Sequence, residues 1–143
     1  MSDFWKNFLA PSLDDITELA KESFADLPDE VRRLTGEVSF HVADFAESSM
    51  LAELGIEDAF ELTGLYDGAP LPSRSVLDTQ GRPPVIFLFR RPILDEWTER
   101  GDLTLSELVT HVLVHEIGHH FGLTDGDIHA IEDDGQDKER DRD

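Results

Sequence analysis

Five consecutive apolar residues, Val85-Ile86-Phe87-Leu88-Phe89, set between Pro83-Pro84 and Arg90-Arg91-Pro92, constrain the fold of this chain more than any other segment. A continuous apolar run of this length, bounded by prolines, reads as a β-strand covered on both faces. Pro92 suits the first turn of a helix, where its missing N–H costs nothing, so a helix is expected from there to about Glu99. Gly101 is placed to stop it.

The other elements follow from spacing and punctuation. Ile16, Leu19, Ala20, Ser23 and Phe24 recur three and four apart, the stripe of a helix capped by Ser12 or Asp14 and running towards Asp26. Pro28 ends or redirects it. Val38, Phe40 and Val42 alternate with Ser39 and His41, which predicts a strand near 37–43 with one buried face. Residues 48–54 fit a short helix closed by Gly55, and Gly64, Gly68, Pro70 and Pro72 break the Leu62 to Leu71 stretch into turns and short extended pieces. Thr104 and Glu107 offer a capping box for a long helix over 105–121. Phe4, Trp5, Phe8 and Leu9 make a short apolar turn expected to pack onto the body.

The chain has 143 residues, enough to remove roughly two thirds of its unfolded surface from water in one domain. No repeat or second apolar pattern divides it, so residues 1–132 are read as one domain. Residues 133–143 contain no large apolar side chain to offset the entropy of ordering, and are expected to form a disordered acidic tail. The longest apolar run is far too short to span a bilayer, and no leader pattern opens the sequence, which reads as cytoplasmic with no membrane partner. Thirty-two Asp and Glu face twelve Lys and Arg, a net charge of −20, so phosphate backbones are repelled and nucleic acid is not expected as a partner. The acidity is first a matter of solubility; a preference for basic substrates is the second reading. Cysteine is absent, which excludes disulfides, thiolate nucleophiles and sulfur-ligated metals.

Any metal must therefore rest on nitrogen and oxygen, and the late helix carries a fitting pattern: His115-Glu116-Ile-Gly-His119, an H-E-x-x-H motif. At about 100° per residue, histidines four apart differ by roughly 40° around the axis, so two imidazoles one turn apart can share one ion. Glu116 falls on the wheel between Leu105, Val109 and Val112, inside the apolar arc. A carboxylate there needs a partner, and a water activated by zinc supplies one, since Glu116 can take its proton as general base. Hydrolytic zinc sites generally use three protein ligands. Gly122 can turn the chain back at the helix end, which favours Asp125 as the third; Asp127, His129 and Glu132 are the alternatives, and Asp127 also fits a capping box with Thr124.

Three other residues bear on the site. His111, one turn before His115, reads first as a core hydrogen-bonding residue and second as a support for the metal ligands. His120 points elsewhere and reads as packing or surface. Tyr66, the only tyrosine, reads as a turn residue packing its ring rather than as an oxyanion donor.

The run from His115 to Asp125 resembles the extended zincin pattern H-E-x-x-H-x-x-G-x-x-D, with aspartate where metzincins place a third histidine. Leu62-Thr-Gly-Leu-Tyr-Asp-Gly-Ala-Pro-Leu71, Ile86 to Pro92 and His115-Glu-Ile-Gly-His-His-Phe-Gly122 together resemble the small bacterial zincin-like metallopeptidases, sometimes called minimal metalloproteases, over roughly residues 30 to 132. That resemblance implies an α+β zincin-like fold, with a small mixed sheet packed against the helix over 105–121. It also implies one zinc ion at His115, His119 and Asp125, with Glu116 as general base. In one respect the sequence departs from metzincins: Met1 and Met50 both precede the motif, so no Met-turn can lie beneath the metal.

The leading functional expectation is a zinc-dependent metallopeptidase that hydrolyses a peptide or small-protein substrate, with the peptide laid beside an edge strand. The little chain left after the motif to form the far wall of a cleft motivates an alternative, a metal-binding structural or interaction domain with little chemistry. A zinc-dependent nuclease is a third reading, opposed by Glu116 and by the net charge. Oligomeric state and cleavage preference are not encoded in any pattern found.

Overall fold

A computed structural model describes residues 4–67 and 84–120. Within them the order is a single 3₁₀ turn at Phe4–Asn7, α1 (Leu13–Ala25), α2 (Asp29–Thr35), β1 (Ser39–Ala43), α3 (Ser48–Leu54), a second 3₁₀ turn at Ala59–Glu61, β2 (Gly64–Asp67), β3 (Val85–Phe89), α4 (Arg90–Arg100) and α5 (Leu105–His120). This is the expected α+β fold with a small mixed sheet. The expected tail over 133–143 and the domain limit at 132 lie outside the described residues.

The apolar run Val85–Phe89 forms the middle strand of a three-stranded sheet of order β1-β3-β2, parallel to β1 and antiparallel to β2. Its alternation sends Ile86 and Leu88, both 0% exposed, to the face that α5 covers, while Val85 and Phe87 are only half-buried on the other. One face of the run is therefore fully covered by the described residues, rather than both. On the other face Phe87 packs its ring edge-on to His41 at 5.3 Å and stacks near Phe89 at 6.2 Å, which shields it in part. The strand ends where the chain turns into α4, and Pro92 is buried in that helix's first turn as its fixed φ allows.

On the helix-covered face the register builds two rows across the sheet, Phe40–Ile86–Tyr66 and Val42–Leu88–Gly64. The first row is filled at both ends; the second ends on a residue with no side chain. α1 packs against β1 and α5, and α5 lies over β2 and β3. Ile16 and Ala20 of α1 join Leu108, Val109, Val112, Leu113 and Ile117 of α5 in one core with Ile86, Leu88 and Ile93. At α1 the cap is a complete capping box: Ser12 Oγ accepts from Asp15 N at 3.1 Å and the Asp15 carboxylate accepts from Ser12 N at 2.8 Å. Phe24 meets Phe40 edge-on at 5.8 Å, fixing the end of α1 over β1.

Pro28 redirects the chain after α1: it stands at the N-cap of α2, whose start a fixed φ near −54° accommodates. One local expectation changes. The opening aromatic turn does not pack onto the body, since Trp5, Phe8 and Leu9 are 59%, 67% and 92% exposed. One 3₁₀ turn offers no continuous face. Beyond it the chain is anchored where Arg90 Nε donates to Pro11 O and the same guanidinium pairs with Asp44 at 3.0 Å. Among the described residues, no helix is long and apolar enough to cross a membrane.

Candidate active site

The helix that carries the motif begins as its sequence directs, with Thr104 Oγ1 accepting from Glu107 N at 3.1 Å. From there α5 reaches His120. Its inner face is apolar, with Leu108, Val109 and Leu113 at 0%, Ile117 at 4% and Val112 at 5% exposed. Its flank carries His111, His115 and His119, each half-buried, so the helix separates packing from chemistry by about a quarter turn.

His115 and His119 hold their rings 5.2 Å apart between centroids, at an interplanar angle of 64°. Two imidazoles that share one tetrahedral ion, each with its nitrogen at about 2.0–2.1 Å, keep their centroids roughly 5 Å apart. The pair therefore suits a shared zinc ion. His111 and His115 stand 6.4 Å apart, too wide for the same arrangement. Among the described residues no set of three His, Asp or Glu side chains gathers as a metal site, and Gly122, Asp125, Asp127, His129 and Glu132 lie outside the described residues.

Glu116 is 8% exposed, in the place the helical wheel assigns it, yet it lines an open cleft. That cleft, of about 160 Å³, is walled by Thr63, Glu96, His111, Val112, His115 and Glu116. Glu116 owes its position to the empty end of the second sheet row. A Cβ on Gly64 would stand 2.8 Å from Val112 Cγ1, 3.2 Å from the Phe87 carbonyl oxygen and 3.4 Å from Glu116 Cγ. Only glycine at this strand position lets α5 settle so closely on β2.

His111 departs from its core reading: it is half-buried and faces the cleft beside His115. Tyr66 does pack its ring against the core, though from strand β2 and not from a turn. Neither Glu96 nor Thr63 stands out in the sequence. Glu96 follows the fully buried Ile93 by three residues and so borders the inner face of α4, which is the one local hint; its place in the cleft depends on how α4 packs against α5.

The site as a whole is a buried carboxylate next to two imidazoles one turn apart, bordering a cleft beside β2, an edge of the described sheet. The model of the family described as zincin-like metallopeptidases matches residues 35–135, from the end of α2 through α5 and beyond, more than half of the 143 residues. A comparison with curated proteins gives no match. The family match takes in the sheet, both helices that wall the cleft and the whole H-E-x-x-H motif, and with it the chain belongs to the zincin-like metallopeptidase family.

Proposed function

We propose that this protein is a zinc-dependent peptidase in which His115, His119 and Asp125 hold one zinc ion and Glu116 is the general base. The observation that carries the reading is the joint placement of His115, His119 and Glu116: rings 5.2 Å apart on one flank, and a carboxylate 8% exposed that nevertheless borders the cleft. Membership of a metallopeptidase family supports zinc as the metal and a peptide bond as the target. When bound, zinc supplies a polarised substrate carbonyl and a water acidic enough to lose its proton near neutral pH.

The chain's own residues then do three things. Glu116, held in a largely desolvated wall, accepts the proton of the attacking water and returns it to the leaving amine. Val112 and the neighbouring apolar face of α5 exclude bulk water behind it. β2, an edge of the described sheet that packs beside α5, offers backbone groups along which an extended peptide can align its scissile bond with the cleft. The substrate is accordingly a peptide or an extended segment of a small protein, acted on in the cytoplasm.

The test is Glu116→Gln, which keeps the shape of the side chain and removes its basicity. Zinc content is expected to stay at that of the wild type while hydrolysis of a mixed peptide library falls by at least a hundredfold. Full activity in this variant would show that another group acts as base. Bound zinc with no cleavage by either protein would favour a metal-stabilised interaction domain.

A further inference from the structure

We infer that Glu96 makes this cleft select peptides with an arginine or lysine side chain next to the bond that is cut, an inference that rests on the peptidase reading above. Glu96 comes from α4 and stands at the wall of the cleft that α5 does not supply. Among the described residues, six line the cleft; two of them, Glu96 and Glu116, are carboxylates and none of the six is a lysine or arginine. The two acids differ in access. Glu116 is 8% exposed and sits within the α5 wall, whereas the Glu96 side chain is 40% exposed at the rim, within reach of a long side chain from a bound peptide.

Its ion-pair partner does not hold it back. Arg100 Nη1 lies 3.6 Å from Glu96 Oε2, and the same guanidinium has Asp102 at 3.8 Å through Nε. An exposed pair of this kind contributes little, and Arg100 retains Asp102 when a substrate cation takes its place at Glu96. The net charge of −20 gathers cations around the whole molecule without choosing among positions. A carboxylate fixed in the cleft wall chooses a position, because its attraction is screened beyond about 8–10 Å in the surrounding electrolyte.

The experiment uses labelled decapeptides in which arginine, or its uncharged near-isostere citrulline, is walked through every position. Binding is read by fluorescence anisotropy on the zinc-loaded Glu116→Gln protein, so that cleavage does not intervene, and cleavage is read separately on wild type. Two further substitutions are added to Glu116→Gln: Glu96→Gln, and Glu99→Gln, which removes the same charge from an exposed position on the same helix. The expected result is about fivefold tighter binding of arginine over citrulline at one peptide position. That preference is lost with Glu96→Gln and kept with Glu99→Gln.

Equal loss in both variants would assign the preference to the field of the whole chain and overturn the inference. The absence of any preference would overturn it as well. Wild type that cleaves arginine and citrulline peptides alike would leave the peptidase reading standing and remove this one. A preference that depends on Glu96, in a wild-type protein that cleaves nothing, would keep Glu96 as the cation-selecting residue of the cleft and overturn the peptidase reading.

Discussion

Gly64 and Glu116 meet across the β2–α5 interface with no room for a methyl group between them: a Cβ on Gly64 would lie 3.4 Å from Glu116 Cγ and 2.8 Å from Val112 Cγ1. A third contact, the Phe87 carbonyl at 3.2 Å, belongs to the backbone of the central strand and cannot rotate away. The proposed base is thus placed by a glycine on a strand as much as by its own helix.

Gly64→Ala is therefore expected to destabilise the fold by about 1–3 kcal/mol, the usual cost of overpacking a core. Val112→Ala added to it removes the nearest clash and is expected to recover part of that loss, while costing stability on its own by leaving a cavity. The check is a double-mutant cycle from urea unfolding, in which the coupling between the two positions should be favourable. Additive losses would mean that β2 moves away from α5 instead of pressing on Val112.

A second link joins parts of the chain that are remote in sequence. Ser23 of α1, 5% exposed, and Thr110 of α5 share a hydrogen bond between hydroxyls at 2.7 Å, and Thr110 Oγ1 also lies 2.9 Å from Ser106 O, to which it donates. Thr110 therefore has its proton committed to its own helix and accepts from Ser23. Ser23→Ala is expected to cost about 1 kcal/mol. Combining it with Thr110→Val should cost less than the sum of the two single changes, measured by unfolding midpoints at constant slope.

The fold is legible in the sequence where a side-chain pattern and a stop signal agree. α4 is legible because Pro92 and Gly101 mark its limits and α5 because Thr104 and Glu107 mark its start, and helical periodicity alone places Glu116 in the apolar arc of α5. Gly101 does adopt the left-handed conformation, φ 68°, that ends α4. What depended on tertiary contact was not legible. Beyond its spacing from the buried Ile93, nothing local distinguishes Glu96 from the other acids of α4, and His111 reads as a core residue because the wheel gives an angle without saying what lies opposite. Within the described residues, Val85 and Phe87 of β3 are half-buried for a related reason: Phe87 and His41 shield each other across strands whose pairing no local pattern announces. The third-ligand choice, Asp125, falls outside the described residues and stands as a proposal.

The exposed opening turn gives a contrasting expectation. Phe8, directly after the first 3₁₀ turn, is 67% exposed, so Phe8→Ser is expected to change stability by no more than about 0.5 kcal/mol. A thermal midpoint lowered by several degrees would show that this segment packs against the body in solution, as its aromatic spacing first suggested.

Zinc should stabilise the protein in proportion to its occupancy, because the proposed ligands His115, His119 and Asp125 come together only in the folded chain. At free zinc a hundred times the dissociation constant, the gain by mass action is about 2.7 kcal/mol, provided the unfolded chain binds weakly. Chelation of the wild type is expected to lower its unfolding midpoint, and added zinc to restore it. In His119→Ala, which leaves one of the two proposed imidazole ligands, the midpoint should barely respond to either treatment. Asp125→Ala is the sharper case. A zinc response as small as that of His119→Ala, together with much reduced metal per chain, would place Asp125 among the ligands. A response equal to the wild type's would move the third ligand to Asp127, His129 or Glu132, and the same titration on their alanine variants would identify which.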